Sequence, residues 1–313
     1  MYTLNLFAKR QKAPQQNLAL KSQVHQRGMS LIELMVGIAI GLLVVAVAGG
    51  ALMVSRGVSG TVSDASVLQQ QAGFAFRVIG QQLRQSGSLY LNMNTSKNTS
   101  TDIDRYALPV AFETEAQSTD SARSFSPKTD TLQGTNTSVN VAYRRYKELV
   151  FRQGSADPAN QSMSRDCQGG PIDEDTDANN SYMRIQSQFA LDGSALKCTG
   201  TAGKNTAMLD NVANFRVRYL QVTDVGSGTP KTKYVNAASV TNWGQITGVE
   251  VCLVLYGNEK MNLPENTAYT DCDGSTRIDM SQASLGAERA QRMHMVFRNI
   301  YQLRSQGLLD KVL

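Results

Sequence analysis

With 313 residues and a formal net charge of +5, the chain has enough length for one large domain or two small ones, and its basicity invites a nucleic-acid reading. The position of the charge excludes that reading. Lys9, Arg10, Lys12, Lys21 and Arg27 stand within residues 1–28, which hold no acidic side chain, and the other 26 basic residues are matched by 26 acidic ones. The folded remainder carries no net charge, so no basic patch and no direct nucleic-acid binding are expected.

From Leu34 to Val54 no side chain is charged. About twenty apolar residues in a helix span roughly 30 Å, the thickness of a bilayer's hydrocarbon core. The basic segment ahead of the run stays cytoplasmic by the positive-inside rule, which sends the C-terminal bulk into the periplasm. The small residues Ala46, Ala48, Gly49, Gly50 and Ala51 leave a cleaved secretory signal open as the rival reading.

The junction before the run separates the two. Arg27-Gly28-Met29-Ser30-Leu31-Ile32-Glu33 resembles the processing motif of type IV prepilins. In that family a dedicated peptidase cuts after the glycine on the cytoplasmic side, N-methylates the new first residue, and leaves the apolar helix in place. The resemblance implies that Gly28 is the scissile glycine, Met29 the methylated N-terminus and Glu33 the assembly carboxylate. A carboxylate in lipid costs ~2.5 kcal/mol or more, so Glu33 either sits near the headgroups without a task or has a partner. The family implies the N-terminal amine of an adjacent subunit, a pairing that also fixes the axial register of neighbouring helices. The chain departs from the family in three places. Gly49-Gly50 stands near the usual proline, Met29 replaces the phenylalanine of major pilins, and the leader is long. The last two fit a minor component.

Beyond Val54 the pattern continues as a stripe, Val58, Val62, Ala65, Leu68, Ala72, Phe76, Ile79 and Leu83, with Ser86-Gly87 as its end. This predicts one helix of roughly fifty-five residues, ~80 Å at 1.5 Å per residue, apolar all round at first and amphipathic later. Gly37 and Gly41 form a G-x-x-x-G pair that could let helices approach, or are ordinary membrane-helix glycines.

Residues 88–137 are rich in Ser, Thr, Asn and Asp and read as loops or irregular structure. Strands are expected at Val139–Tyr143, Glu148–Arg152, Tyr182–Leu191 and Phe215–Tyr219. Another is expected through Val249, Val251, Leu253 and Leu255, its second face partly covered. A long helix followed by strands indicates an α+β fold with a mainly antiparallel sheet packed on the helix. Asp210-Asn211-Val212, Phe215–Tyr219, Trp243 and the Ile246–Leu255 run are similar to the C-terminal half of PilW-type minor pilins and J-type pseudopilins. The segment Met295–Arg304 resembles the close of the PilW group, with Gln302-Leu303-Arg304-Ser305 a partial match.

Cys167, Cys198, Cys252 and Cys272 contain no C-x-x-C pair, and His294 is the one histidine outside residues 1–28. An even count in an oxidising compartment reads as two disulfides rather than a zinc site. Of three connectivities, the local closures Cys167–Cys198 and Cys252–Cys272 are favoured, loops of ~20 to 30 residues contributing roughly 3 to 4 kcal/mol each. Asp173-Glu174-Asp175-Thr176-Asp177 opens like a calcium loop, but Ala178 and Arg184 stand where the turn glycine and bidentate glutamate belong; Asp271–Gly274 is a second acidic turn. Both read as solvated loops. His294, expected half-exposed in a terminal strand, has no G-x-S-x-G serine to serve, and there is no Walker or dinucleotide loop. No enzyme activity, metal or cofactor is expected.

The reading is a pilin-like α+β chain in four parts: a cleaved leader (1–28), a transmembrane and filament-core helix (29–54), its amphipathic continuation (55–86) and a periplasmic β-rich head (87–313). The resemblance implies a minor pilin that primes a type IV pilus and joins it near the tip, supporting adhesion, twitching motility or DNA uptake. The implied partners are other minor pilins, the major pilin, the prepilin peptidase, the inner-membrane assembly platform and a tip adhesin. The alternatives are a J-like pseudopilin of type II secretion and a helix-anchored periplasmic binding module or enzyme.

Overall fold

The structure, a computed structural model, describes residues 28–87, 89–91, 110–113, 115–117, 124–146, 148–151, 159–170, 184–223 and 231–304. Residues 1–27 of the expected leader (1–28) and the acidic run Asp173–Asp177 lie outside the described residues. The chain divides into two units, one ending at Ser55 and the other running from Arg56 to Leu313.

Helix α1 (Leu31–Gln85, 55 residues) is continuous through Gly49 and Gly50, with no unwinding where pilins often place proline. It ends because Gly87 adopts φ 68°, a left-handed conformation that costs glycine little. Ser86 then donates its hydroxyl to the Thr131 carbonyl (2.8 Å).

In the second unit the strands are β1 (Leu89–Leu91), β2 (Val110–Phe112), β3 (Leu132–Gly134), β4 (Ser138–Arg144), β5 (Glu148–Val150), β6 (Ala159–Gln161), β7 (Arg184–Asp192) and β8 (Ala195–Thr199), with a short helix α2 (Pro127–Asp130) before β3. There follow β9 (Asn205–Leu209), β10 (Val212–Thr223), β11 (Lys231–Val235), β12 (Ile246–Lys260), β13 (Ala268–Thr270), β14 (Arg277–Asp279) and β15 (Arg292–Gln302). The single expected sheet is in fact two main antiparallel ones, β3-β4-β7-β8-β9 and β11-β10-β12-β15, with three two-stranded pairs beside them among the described residues. Short strands and α2 also interrupt the stretch 88–137 that reads as loop from composition.

Both sheets contribute one face to a shared core, which the amphipathic stripe of α1 completes. Leu68, Ala72, Ala75, Ile79 and Leu83 pack with Val139, Val141 and Phe189 of one sheet and Phe215, Val217, Val251 and Leu253 of the other. Period-2 alternation does this work: on β10, Phe215, Val217 and Tyr219 are buried while Arg216 and Arg218 are not. Each fully buried Leu, Ile or Phe contributes about 1.5–3 kcal/mol. The stripe's first members behave differently, Val58 and Val62 being exposed.

Polar contacts fix the helix within this unit. Asp64 accepts from the Glu259 amide (2.8 Å). Gln82 donates to the Arg165 carbonyl (3.2 Å) and accepts from Ser187 (3.0 Å). Tyr301 donates to the Phe76 carbonyl (2.7 Å). Gly80 and Gly257 permit these approaches, because a Cβ at Gly80 would lie 2.4 Å from the Tyr301 ring and one at Gly257 2.3 Å from Asp64 Oδ2.

The second face of β12 is covered more fully than its sequence suggests. Glu250 is buried against Arg218 (2.7 Å) and Arg298 (3.4 Å), while Cys252 and Val254 pack with Tyr269 and Cys272 around the β13–β14 pair. Cys252 is bonded to Cys272 (Cα–Cα 5.7 Å) and Cys167 to Cys198 (6.4 Å). Asp271, in the acidic turn, is held by Asn214 Nδ2 (2.9 Å to each oxygen). No Cys, His, Asp and Glu cluster able to hold a metal occurs among the described residues.

His294 is not half-exposed: it is buried on β15, stacked on Tyr269 with ring centroids 5.0 Å apart. Its Nδ1 donates to the Arg292 carbonyl (3.0 Å), and among the described residues its buried Nε2 has no hydrogen-bond partner. Burial, aided by the nearby Arg289 charge, lowers its pKa below the usual 6.5. The unfolded chain therefore takes up a proton near pH 6.5 that the folded chain refuses, so stability is present above that pH and lost as pH falls below it. We expect Tm to drop between pH 7 and pH 5, with a slope of at most about 1.4 kcal/mol per pH unit from this group. His294→Phe should flatten that slope in a pH series of thermal melts; an unchanged slope would contradict the assignment.

Candidate processing and assembly site

The candidate site is the start of α1. Gly28, Met29 and Ser30 precede the helix and are exposed. Ser30 caps it: its Oγ accepts from the Glu33 amide (3.3 Å) while its carbonyl accepts from Leu34 (3.2 Å), satisfying two of the terminal N–H donors. Ser-x-x-Glu at 30–33 has the spacing of a capping box, a signal that becomes legible once the helix start is located. Glu33 sits in the first turn, where the helix dipole favours an anion.

Everything from Leu31 to Ala48 is exposed, although the segment is almost wholly apolar. Leu31, Met53 and Val54 each leave at least 70% of their surface uncovered. It is the one described helix long and apolar enough to cross a membrane, by length and composition. A continuous apolar surface of this size has to be covered by lipid or by other chains. Glu33 is its one acidic interruption. The structure thus brings Gly28, Met29, Ser30 and Glu33 together at one helix end. The four cysteines lie elsewhere, in the second unit, where they brace strands.

Sequence reasoning missed the groove beside the C-terminal part of α1. It has a volume of about 800 Å³ and is lined in part by Arg77, Arg84, Arg144 and Arg304. These arginines are scattered through the sequence, and only the fold collects them.

Residues 24–49 match the family model described as prokaryotic N-terminal methylation motif, and residues 172–305 match that described as type IV pilus-assembly protein W. The second match spans β7 to β15 and includes Met295–Arg304. No curated protein matches the chain. Among solved structures, a type IV-like pilin from Thermus thermophilus, TTHA1219, is similar at 13% identity, with 75% of this chain and 96% of that chain covered. Its TM-score of 0.31 is too low for the likeness to carry an argument.

Proposed function

We propose that this chain, a type IV pilin-like protein with a PilW domain behind a prepilin methylation motif, is a minor pilin that primes a type IV pilus and enters it near the tip. One observation carries the reading: the helix that follows the motif exposes an apolar surface all round from Leu31 to Ala48, broken by a single carboxylate. Lipid covers that surface first, and the helices of adjacent subunits cover it after extraction. The chain starts as a single-pass inner-membrane protein with its N-terminus in the cytoplasm and its head (87–313) in the periplasm. The peptidase removes 1–28 by cutting after Gly28, and Met29 is methylated. The helix 29–54 becomes filament core, and 55–86 ties it to the head. Glu33 pairs with the amine of a neighbouring subunit. The disulfides Cys167–Cys198 and Cys252–Cys272 brace the head in the oxidising periplasm.

The assembly carboxylate needs no catalysis, and a structural role agrees with a head whose buried polar groups serve packing. Other minor pilins, the major pilin, the assembly platform and a tip adhesin are the partners of this reading; adhesion, twitching motility or DNA uptake lies downstream. The match over 172–305 supports a pilus rather than a secretion pseudopilus. Deletion of the gene tests the assignment. Pilus counts by electron microscopy should fall at least tenfold and recover on complementation. Normal pili together with a block in protein export would assign the chain to type II secretion instead.

A further inference from the structure

We propose that the arginine-lined groove on α1 seats an acidic segment of a neighbouring pilin-type subunit, a different chain from this one. The inference rests on the filament reading above and adds to it a surface and the chemistry of the partner. Among the described residues Arg77, Arg84, Arg144 and Arg304 line the groove and no acidic side chain does. Arg77, Arg84 and Arg304 are exposed, and among the described residues none is paired with a carboxylate. Arg144 Nη1 donates to the Glu115 carbonyl (2.9 Å). A second cavity of about 500 Å³ shares Arg84, Tyr301 and Arg304 with the first and extends the groove to the exposed Ile300.

The composition of the groove points to a protein occupant. Among the described residues its cations are all arginine, whose planar fork binds carboxylates bidentately, and aromatic rings line it with them, the Arg144 guanidinium lying 5.5 Å from the Tyr146 ring centroid. Arginine combined with aromatic surface is the chemistry enriched in protein interfaces. Nucleic acid would need a longer cationic track than this, on a chain with no net charge outside residues 1–28. On the same stretch of α1, Val67 and Phe74 are exposed apolar side chains. A subunit lying along the helix would cover them and present its carboxylates to the groove.

Site-specific photocrosslinking of the full chain in pilus-producing cells tests this. One probe replaces Gln81, an exposed lining residue, and a second replaces Val44 in the apolar helix. The Gln81 probe should give an adduct with another subunit that carries a prepilin motif, the linked peptide containing Asp or Glu. Arg84→Glu with Arg304→Glu should lower its yield at least tenfold, normalised to membrane level, while Arg84→Lys with Arg304→Lys keeps most of it. The Val44 adduct should survive both pairs of changes. Yields unaffected by charge reversal would overturn the proposal. So would an adduct only to lipid, to nucleic acid, to the same chain or to a second copy. Loss of the Gln81 adduct alone in the wild type refutes the groove; loss of both refutes the filament reading with it.

Discussion

Glu33→Val should yield a protein that is cleaved and membrane-resident yet absent from sheared filaments. The residue lies beyond the proposed cleavage point between Gly28 and Met29, and replacing a carboxylate with an apolar side chain makes the helix easier to insert, by ~2.5 kcal/mol or more. Neither processing nor anchoring should therefore suffer. The helix start also survives, since the cap bond runs from the Glu33 backbone amide to Ser30 Oγ and does not use the carboxylate. What is lost is the proposed partner of a neighbouring subunit's amine. An unpaired charge in a low-dielectric filament core costs several kcal/mol, enough to exclude the subunit. Immunoblots of membrane and sheared-filament fractions would read this directly. Normal incorporation would refute the pairing role while leaving the prepilin assignment standing.

Gly80→Val should destabilise the second unit by about 1–3 kcal/mol, the usual cost of overpacking. Its Cβ would fall 2.4 Å from Tyr301 Cε1 and 3.1 Å from Cδ1 and Cζ. The ring cannot easily retreat. Its hydroxyl donates to the Phe76 carbonyl (2.7 Å) and accepts from Asn299 Nδ2 (3.2 Å). On this scale Tm should fall by about 4–8 °C for a loss near 2 kcal/mol. Tyr301→Ala removes the ring that clashes, so the double variant should be more stable than the two single losses predict. Additive losses, or an unchanged Tm for Gly80→Val, would show that the close packing of helix and strand is not what the glycine serves.

The long helix was legible because its signals are local. An uncharged run, a 3.6-residue stripe and a Ser-Gly stop sit in consecutive residues, and the structure returns a helix over Leu31–Gln85. The strong strands of β10 and β12 were legible for the same reason, as alternation within one segment. The division into two sheets was not, since pairing partners such as Val217↔Val251 and Val251↔Asn299 are set by contacts far apart in the chain. The same reason hides the burial of His294, because its cover comes from Tyr269 and Tyr256 on other strands. Val58 and Val62 fit the helical stripe yet stay uncovered, since periodicity names a face and not what lies opposite it. Gly28, Met29 and Glu33 stood out as candidates from the motif alone, whereas Ser30's cap needed the helix start to be located.

The mass of the mature N-terminus tests the central claim most directly. Intact and N-terminal peptide mass spectrometry on membranes or sheared filaments should find a chain that begins at Met29 with a methylated amine and retains the apolar helix. A chain that begins near Ala51, with the helix gone, would establish an ordinary secretory signal and contradict the account.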